Sequence, residues 1–190
     1  DRFLAFERWW GGFHHLARDE IVAIVENLFI GNQLEQGVFR ICEGCHADLR
    51  RLRSPLVVFA SWGDNITPPH QALGWIPAVW PDTAALEAAG QRIVYLTNPR
   101  VGHLGIFVSA AVAQHEHRAI LASMEEIAAL PPGLYQMTVE DMDGDEEHRV
   151  GFVRRTVEEI RFPFDRRSFE KVRETSAVLA AAYETFAGPW

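Results

Sequence analysis

The sequence predicts an α/β fold, in which a parallel β-sheet with flanking helices is followed by a β-hairpin and a C-terminal helix. Short apolar runs at residues 55–60 and 92–96 are typical of strands that are covered on both faces. Helical patterns alternate with these runs along the chain. Because this alternation favours right-handed crossovers, we expect the two strands to lie parallel in one sheet.

The region before the first predicted strand suggests helices. Residues 3–17 are rich in aromatic side chains and are interrupted by two glycines, which predicts a short helix and a turn. Residues 19–30 predict a buried helix, because its first turn is acidic, as the positive end of a helix dipole favours, and the rest is apolar.

The remaining elements follow from turn residues and periodicity. Proline and glycine positions predict helices at 70–76, stopped by Pro77, and at 82–89, ended by Gly90. A long helix is expected over 106–130. Beyond it, residues 134–139 and 150–153 flank an acidic turn and predict a hairpin, and 168–186 predict a final helix. We therefore divide the chain into 1–130, the sheet and its helices, and 131–190, an appended hairpin and helix packing on it.

Composition limits the classes of partner. The 190 residues are 48% hydrophobic, enough for a core, and carry a net charge of −8, which argues against nucleic acid. The sequence has no apolar run near the roughly 20 residues of a membrane span. The chain has two cysteines, no initiator Met and no signal-peptide pattern, which suggests a soluble, cytoplasmic piece of a longer protein.

Two polar side chains follow the two predicted strands. Asp64 comes shortly after residues 55–60, and His103 shortly after 92–96. In an open parallel sheet, reacting groups collect beyond the carboxyl ends of the strands. Singly, such an Asp is often a turn or cap residue and such a His a structural one. Together, in the order Asp then His, they match the end of an α/β-hydrolase-type triad, with Asp64 as orienting acid and His103 as general base.

The segments around these residues also carry a family resemblance. Residues 54–73, 101–109 and 130–135 resemble polyhydroxyalkanoate synthase-like proteins of the α/β-hydrolase superfamily, and more closely an uncharacterised bacterial domain family that carries the name poly(3-hydroxyalkanoate) synthetase. The similarity runs over nearly the whole chain. It implies the C-terminal part of an α/β-hydrolase-type sheet, catalytic Asp64 and His103, and a cysteine nucleophile in a Gly-x-Cys-x-Gly elbow.

The predicted nucleophile is missing from this sequence. Neither Gly-x-Ser-x-Gly nor Gly-x-Cys-x-Gly occurs in the 190 residues, and chain order puts the elbow before Asp64. We expect an upstream, N-terminal half of the parent chain to supply it. The parent would be an acyltransferase or ester hydrolase acting on an acyl thioester or ester, and this chain alone would be inactive. The alternative is a non-catalytic scaffold or interaction protein, and a homo-oligomer stays open.

Other motifs are weaker, and we predict no cofactor and no metal. Cys42 to His46 fits the Cys-x-x-Cys-His pattern of haem attachment, but no second axial ligand is identifiable. Zinc is disfavoured because no further ligands have a recognisable spacing. Neither cysteine has the strand and helix that an elbow requires. His115 and His117 do not share a helix face, and the acidic run 140–147 lacks a full calcium loop.

Overall fold

The computed structural model describes residues 2–12, 15–141, 148–160, 177–179, 181–182 and 185. The chain forms two compact units, Asp1–Leu52 and Arg53–Trp190, and each is described by itself. This boundary differs from the predicted division between residues 130 and 131. A compact unit is not the same as a domain, so the predicted division stays a prediction.

The first unit consists of short helices and a small hairpin. Its elements are α1 (Arg2–Trp10), α2 (Arg18–Ile24) with a wider π-helical continuation (Val25–Ile30), α3 (Gln33–Gln36), β1 (Phe39–Cys42), β2 (Cys45–Ala47) and a 3₁₀ turn (Leu49–Arg51). Strands β1 and β2 pair antiparallel. The start of α2 follows from Glu20, whose carboxylate accepts a hydrogen bond from the Ala17 N–H at 2.8 Å.

One prediction for this unit was wrong, and one element was not predicted. The helix expected over 19–30 is present but not buried, because none of the described residues between 2 and 52 is buried. About 50 residues in short elements do not enclose a core of their own. The hairpin of β1 and β2 was not predicted, since its strands alternate too weakly and are too short to show a period of two.

The second unit is built on a four-stranded mixed sheet. Its strands are β3 (Leu56–Ser61), β4 (Arg92–Asn98), β5 (Gly133–Asp141) and β6 (His148–Arg155), in the order β3-β4-β5-β6. β3, β4 and β5 run parallel, and β6 pairs antiparallel with β5. The α/β class, the parallel pair and the hairpin are confirmed. The hairpin extends the sheet through β5, however, instead of packing on it as expected.

Helices flank this sheet. They are α4 (Pro69–Leu73), α5 (Ile76–Val79), α6 (Thr83–Ala88), α7 (Gly105–Val108), α8 (Ala110–Val112), a π-helical stretch (Ala113–His117), α9 (Arg118–Ala122), α10 (Met124–Ala129) and a 3₁₀ turn (Val157–Ile160). Helix α6 agrees with its prediction: the Asp82 carboxylate caps it by accepting from the Ala85 N–H at 2.7 Å, and Gly90 follows it with φ 69°.

Two other helix predictions were wrong in their boundaries. The helix expected over 106–130 is interrupted at Ser109, which has an extended ψ of 122°, and at Ser123. The Ser109 hydroxyl accepts from the Val112 N–H and so restarts the helix as a cap. Pro77 does not stop a helix but lies in the first turn of α5, where its missing N–H is not needed.

The sheet is covered on both faces. On one face, Val94 and Leu96 of β4 pack with Tyr135 and Met137 of β5 and with Ile127 of α10. The alternating residues Ile93 and Leu134 are also fully buried, and strand geometry directs them to the opposite face. Burial on both faces explains why these strands are continuous apolar runs in the sequence.

The C-terminal predictions are described only in part. Most of the helix expected over 168–186 lies outside the described residues, although 177–179, 181–182 and 185 are helical. Residues 142–147, the greater part of the acidic turn, also lie outside them. None of the helices in the described ranges combines the length and hydrophobicity that crossing a bilayer demands.

Candidate active site

The parallel register brings the ends of β3 and β4 to the same level of the sheet. Ser61, the last residue of β3, pairs with Asn98, the last residue of β4. Asp64 and His103 follow these two residues closely in the sequence, so both loops leave the same edge. The sheet topology thereby places the two predicted residues side by side.

Asp64 and His103 are in direct contact. The imidazole Nδ1 of His103 lies 2.9 Å from Oδ2 of Asp64. The Asp64 side chain is buried, whereas the His103 side chain is 30% exposed. A buried carboxylate therefore holds one side of an imidazole that still reaches solvent.

The carboxylate of Asp64 is held by its own loop. Its Oδ1 accepts hydrogen bonds from the N–H groups of Ile66 at 2.8 Å and Thr67 at 2.9 Å. Its Oδ2 accepts from the Thr67 hydroxyl at 2.7 Å. This is the turn that an Asp forms readily with the backbone two and three residues ahead. The residues that position Asp64 thus follow it directly in the sequence.

These contacts change the acidity of Asp64. Burial by itself would raise the pKa of its carboxyl group. Hydrogen bonds from the Thr67 N–H, His103, the Thr67 hydroxyl and the Ile66 N–H outweigh burial and hold the pKa well below its ordinary value of 3.8. Asp64 is therefore ionised at neutral pH, as a residue that orients an imidazole must be.

The contact also determines which nitrogen of His103 carries the proton. An ionised carboxylate only accepts hydrogen bonds, so the Nδ1 that faces it is protonated. The Thr67 hydroxyl oxygen lies 3.2 Å from the same Nδ1. The ring packs edge-on against Phe107 of α7, with 6.2 Å between the ring centres. In this tautomer Nε2 is the nitrogen with a lone pair, and it is the atom that can accept a proton.

Asn98 connects the two loops. Its backbone carbonyl accepts from the Trp62 N–H at 2.9 Å and from the Ser61 hydroxyl at 3.1 Å. Its side-chain Oδ1 accepts from the N–H groups of Arg100 at 2.9 Å and Val101 at 3.0 Å. The end of β4 thus holds the Asp64 loop through its main chain and the His103 loop through its side chain.

Behind Asn98 lies the buried carboxylate of Glu116. The Asn98 side-chain amide donates to Glu116 Oε1, and Nδ1 of His115 lies 3.4 Å from Glu116 Oε2. Glu116 is 7% exposed and belongs to the π-helical stretch between α8 and α9. The helix that covers the sheet therefore supports the loop with His103 through one buried carboxylate.

Gly63 lets the two loops approach each other. A Cβ atom at this position would overlap the backbone carbonyl of Arg100. Gly63 lies in a turn that the Asp64 N–H closes by donating to the Ser61 carbonyl at 3.2 Å, and neither Gly63 nor Gly102 has a positive φ. A Cβ on Gly102 would meet no atom within 4 Å. The close approach therefore requires a glycine at residue 63, whereas no contact of this kind requires one at residue 102.

The sequence analysis missed three of the supporting residues. Thr67 had a local signal, since a Thr three residues after an Asp is typical of an Asp turn. Asn98 had a weaker one, as an Asn at the end of a strand and before a proline. Glu116 had none, because its contact with Asn98 depends on how the helix lies over the sheet.

Other candidate residues have contacts of their own. Cys42 and Cys45 form a disulfide across the hairpin of the first unit. His117 packs edge-on against Phe59 of β3, with 5.9 Å between the ring centres. Within the described ranges, no group of three or more His, Cys, Asp or Glu side chains is arranged to hold a metal ion.

Fold and site together define an α/β protein with a buried carboxylate and an imidazole paired at the carboxyl edge of its parallel strands. The family model described as "Protein of unknown function (DUF3141)" matches residues 1–190, and the chain belongs to this family. A Rhizobium meliloti protein described as "Uncharacterized protein in ackA 5'region" is 41% identical over 203 residues. That alignment covers 100% of this chain and 28% of the relative, so the chain spans little more than a quarter of it. No solved structure matches the chain.

Proposed function

We propose that this chain supplies the acid and the base of an α/β-hydrolase-type catalytic triad in an acyltransferase or ester hydrolase related to polyhydroxyalkanoate synthases. The contact between Asp64 and His103 is the observation that supports this most strongly. A carboxylate that orients an imidazole, with the second ring nitrogen free to take a proton, is the arrangement that activates a hydroxyl or thiol nucleophile.

In the proposed reaction, a Ser or Cys outside residues 1–190 attacks the carbonyl carbon of an acyl thioester or ester. His103 takes the proton of the nucleophile at Nε2, and the resulting imidazolium is stabilised by the ionised Asp64. As the acyl-enzyme forms, the bond to the leaving thiol or alcohol breaks, and His103 returns the proton to it. Water or a hydroxyl group then accepts the acyl group by the same route in reverse.

Two further features favour this proposal over a non-catalytic scaffold. The Asp64 side chain is buried, and the hydrogen bonds that it accepts stabilise its charged form. Of the two side chains, His103 is the one that reaches solvent. A buried carboxylate with a shifted pKa and a specific imidazole partner is more typical of a functional site than of a scaffold. In addition, β3 lies at the edge of the described sheet, where a parallel strand from elsewhere in the protein can extend it.

The test uses the full-length protein with an activated p-nitrophenyl ester and an acyl thioester of coenzyme A as probes. We expect His103→Ala to lower kcat/KM about 10³- to 10⁴-fold, because the nucleophile loses its base. His46→Ala is the matched control, since His46 is exposed and lies in the first unit. Unchanged activity in His103→Ala would remove this residue from the mechanism, and a wild-type protein without activity on either probe would favour the scaffold.

A further inference from the structure

The hairpin of the first unit contains the two cysteines of the chain. Cys42 ends β1 and Cys45 begins β2, and the two residues pair across a two-residue turn formed by Glu43 and Gly44. Gly44 has φ 76°, the conformation that the second central residue of such a turn requires. The turn therefore brings both sulfur atoms to the same place, and they are joined as a disulfide.

The geometry of the backbone suits this bond. The Cα atoms of Cys42 and Cys45 are 4.9 Å apart, within the range of about 4.4–6.8 Å that disulfides occupy. Hairpin pairing of Phe39 with Ala47 and of Arg40 with His46 continues beside it. The strands hold the two cysteines within bonding distance through contacts other than the bond itself, so the reduced pair stays pre-arranged to close again.

Two features distinguish this disulfide from a structural one. It closes a loop with a sequence separation of only 3 residues, and short loops give the least stabilisation of the folded chain. Both cysteines are also exposed, so an external thiol reaches the sulfur atoms without unfolding the protein. Exposed disulfides that contribute little to stability are the ones that are readily reduced.

We infer that Cys42 and Cys45 form a reversible dithiol–disulfide site that exchanges with small thiols of the glutathione class. The thiolate of one glutathione attacks a sulfur of the pair, forming a mixed disulfide and releasing the other cysteine. A second glutathione thiolate attacks the mixed disulfide and leaves as glutathione disulfide. Two thiols are oxidised, the protein disulfide takes up two electrons, and the protons lost by the glutathione thiols end on the two cysteines. The site is independent of the proposed acyl chemistry.

The experiment incubates the full-length protein in glutathione buffers of increasing reduced-to-oxidised ratio, blocks free thiols with an alkylating agent, and digests with trypsin. Cleavage after Arg40 and Arg50 releases residues 41–50, which contain both cysteines. Mass spectrometry then counts the alkyl groups on this peptide, whatever other cysteines the protein has. We expect a change from no alkyl group to two across the series, with both forms present at intermediate ratios.

Variants make the test specific. In Cys45→Ser, oxidised glutathione should leave a glutathione adduct on Cys42, because the second cysteine is absent. In Cys42→Ser the adduct should form on Cys45 instead, because both cysteines are exposed.

Three results would overturn the inference. One is a pair that stays oxidised in excess reduced glutathione, as a structural disulfide would. Another is a pair that stays reduced in oxidised glutathione alone. The third is a peptide that escapes alkylation although its mass is that of two thiols rather than a disulfide, and that becomes reactive when a chelator is added. This result would identify a bound metal ion instead.

Discussion

The Asp64 carboxylate is both buried and charged, and hydrogen bonds from its neighbours stabilise the charge. Backbone and hydroxyl donors from Ile66 and Thr67 replace the water that the carboxylate loses on folding, and His103 adds a partner on the second oxygen. Each donor comes from a loop that follows a strand. The acidity of this one residue therefore depends on the folded state, and it links the stability of the protein to pH.

The pH dependence of stability follows from the lowered pKa of Asp64. The stabilisation is complete above the ordinary value of 3.8 and is lost as the pH falls from there towards the lower pKa of the folded state, because protonation then opposes the hydrogen bonds. We expect Asp64→Asn to be less stable than wild type at about pH 6 and to lose less stability on going to about pH 3.

Urea denaturation at both pH values measures this difference. Asp19→Asn is the matched control, because it makes the same change in a side chain that is 95% exposed. Parallel losses of stability in wild type and Asp64→Asn would show that the Asp64 carboxylate does not carry the effect.

The loops that follow β3 and β4 act as a pair. Ser61 and Trp62 bond to the carbonyl of Asn98, and Gly63 lies against the backbone of Arg100. These contacts set the separation of the two loops, and the side chains of Asp64 and His103 take no part in them. Two strands in parallel register thus determine where Asp64 and His103 lie, and the close approach at Gly63 determines whether they touch.

A methyl group at residue 63 tests this spacing. We expect Gly63→Ala to lower the free energy of unfolding by about 1–3 kcal/mol, because the backbone of Arg100 must move to admit it. Gly102→Ala is the control: the same change in the neighbouring loop meets no atom, and its stability should stay within about 0.5 kcal/mol of wild type. Urea denaturation of both variants measures their free energies of unfolding, and equal values would contradict the close approach of Gly63 to the backbone of Arg100.

The sheet of the second unit depends on residues from both sides of the predicted boundary at 130 and 131. β4 lies between β3 and β5, and its residues Val94 and Leu96 are buried against β5 and the helices. Because a parallel strand covered on both faces is apolar throughout, removal of β5 would expose an edge that favours aggregation. The hairpin is therefore expected to be part of the folded unit rather than an addition to it.

Truncation of the protein after Leu130 tests this expectation. We expect the shortened protein to aggregate or to unfold without a cooperative transition, because Val94 and Leu96 lose their packing against Tyr135 and Met137. Ending the protein after residue 160 is the control, since it keeps β5 and β6. Light scattering and thermal unfolding measure the outcome, and a cooperative monomer ending at Leu130 would show that residues 131–190 are a separate addition.

Local patterns in the sequence were sufficient for the strands predicted at 55–60 and 92–96, for α6, and for the prediction that Asp64 and His103 lie together at one edge of the sheet. Burial on both faces leaves a continuous apolar run, and the edge beyond such strands is where polar residues carry chemistry. The support of Asn98 by Glu116, the close approach at Gly63 and the place of β5 in the sheet were decided by the tertiary structure. Each joins residues that are distant in the chain, and no local periodicity records which distant segments come into contact.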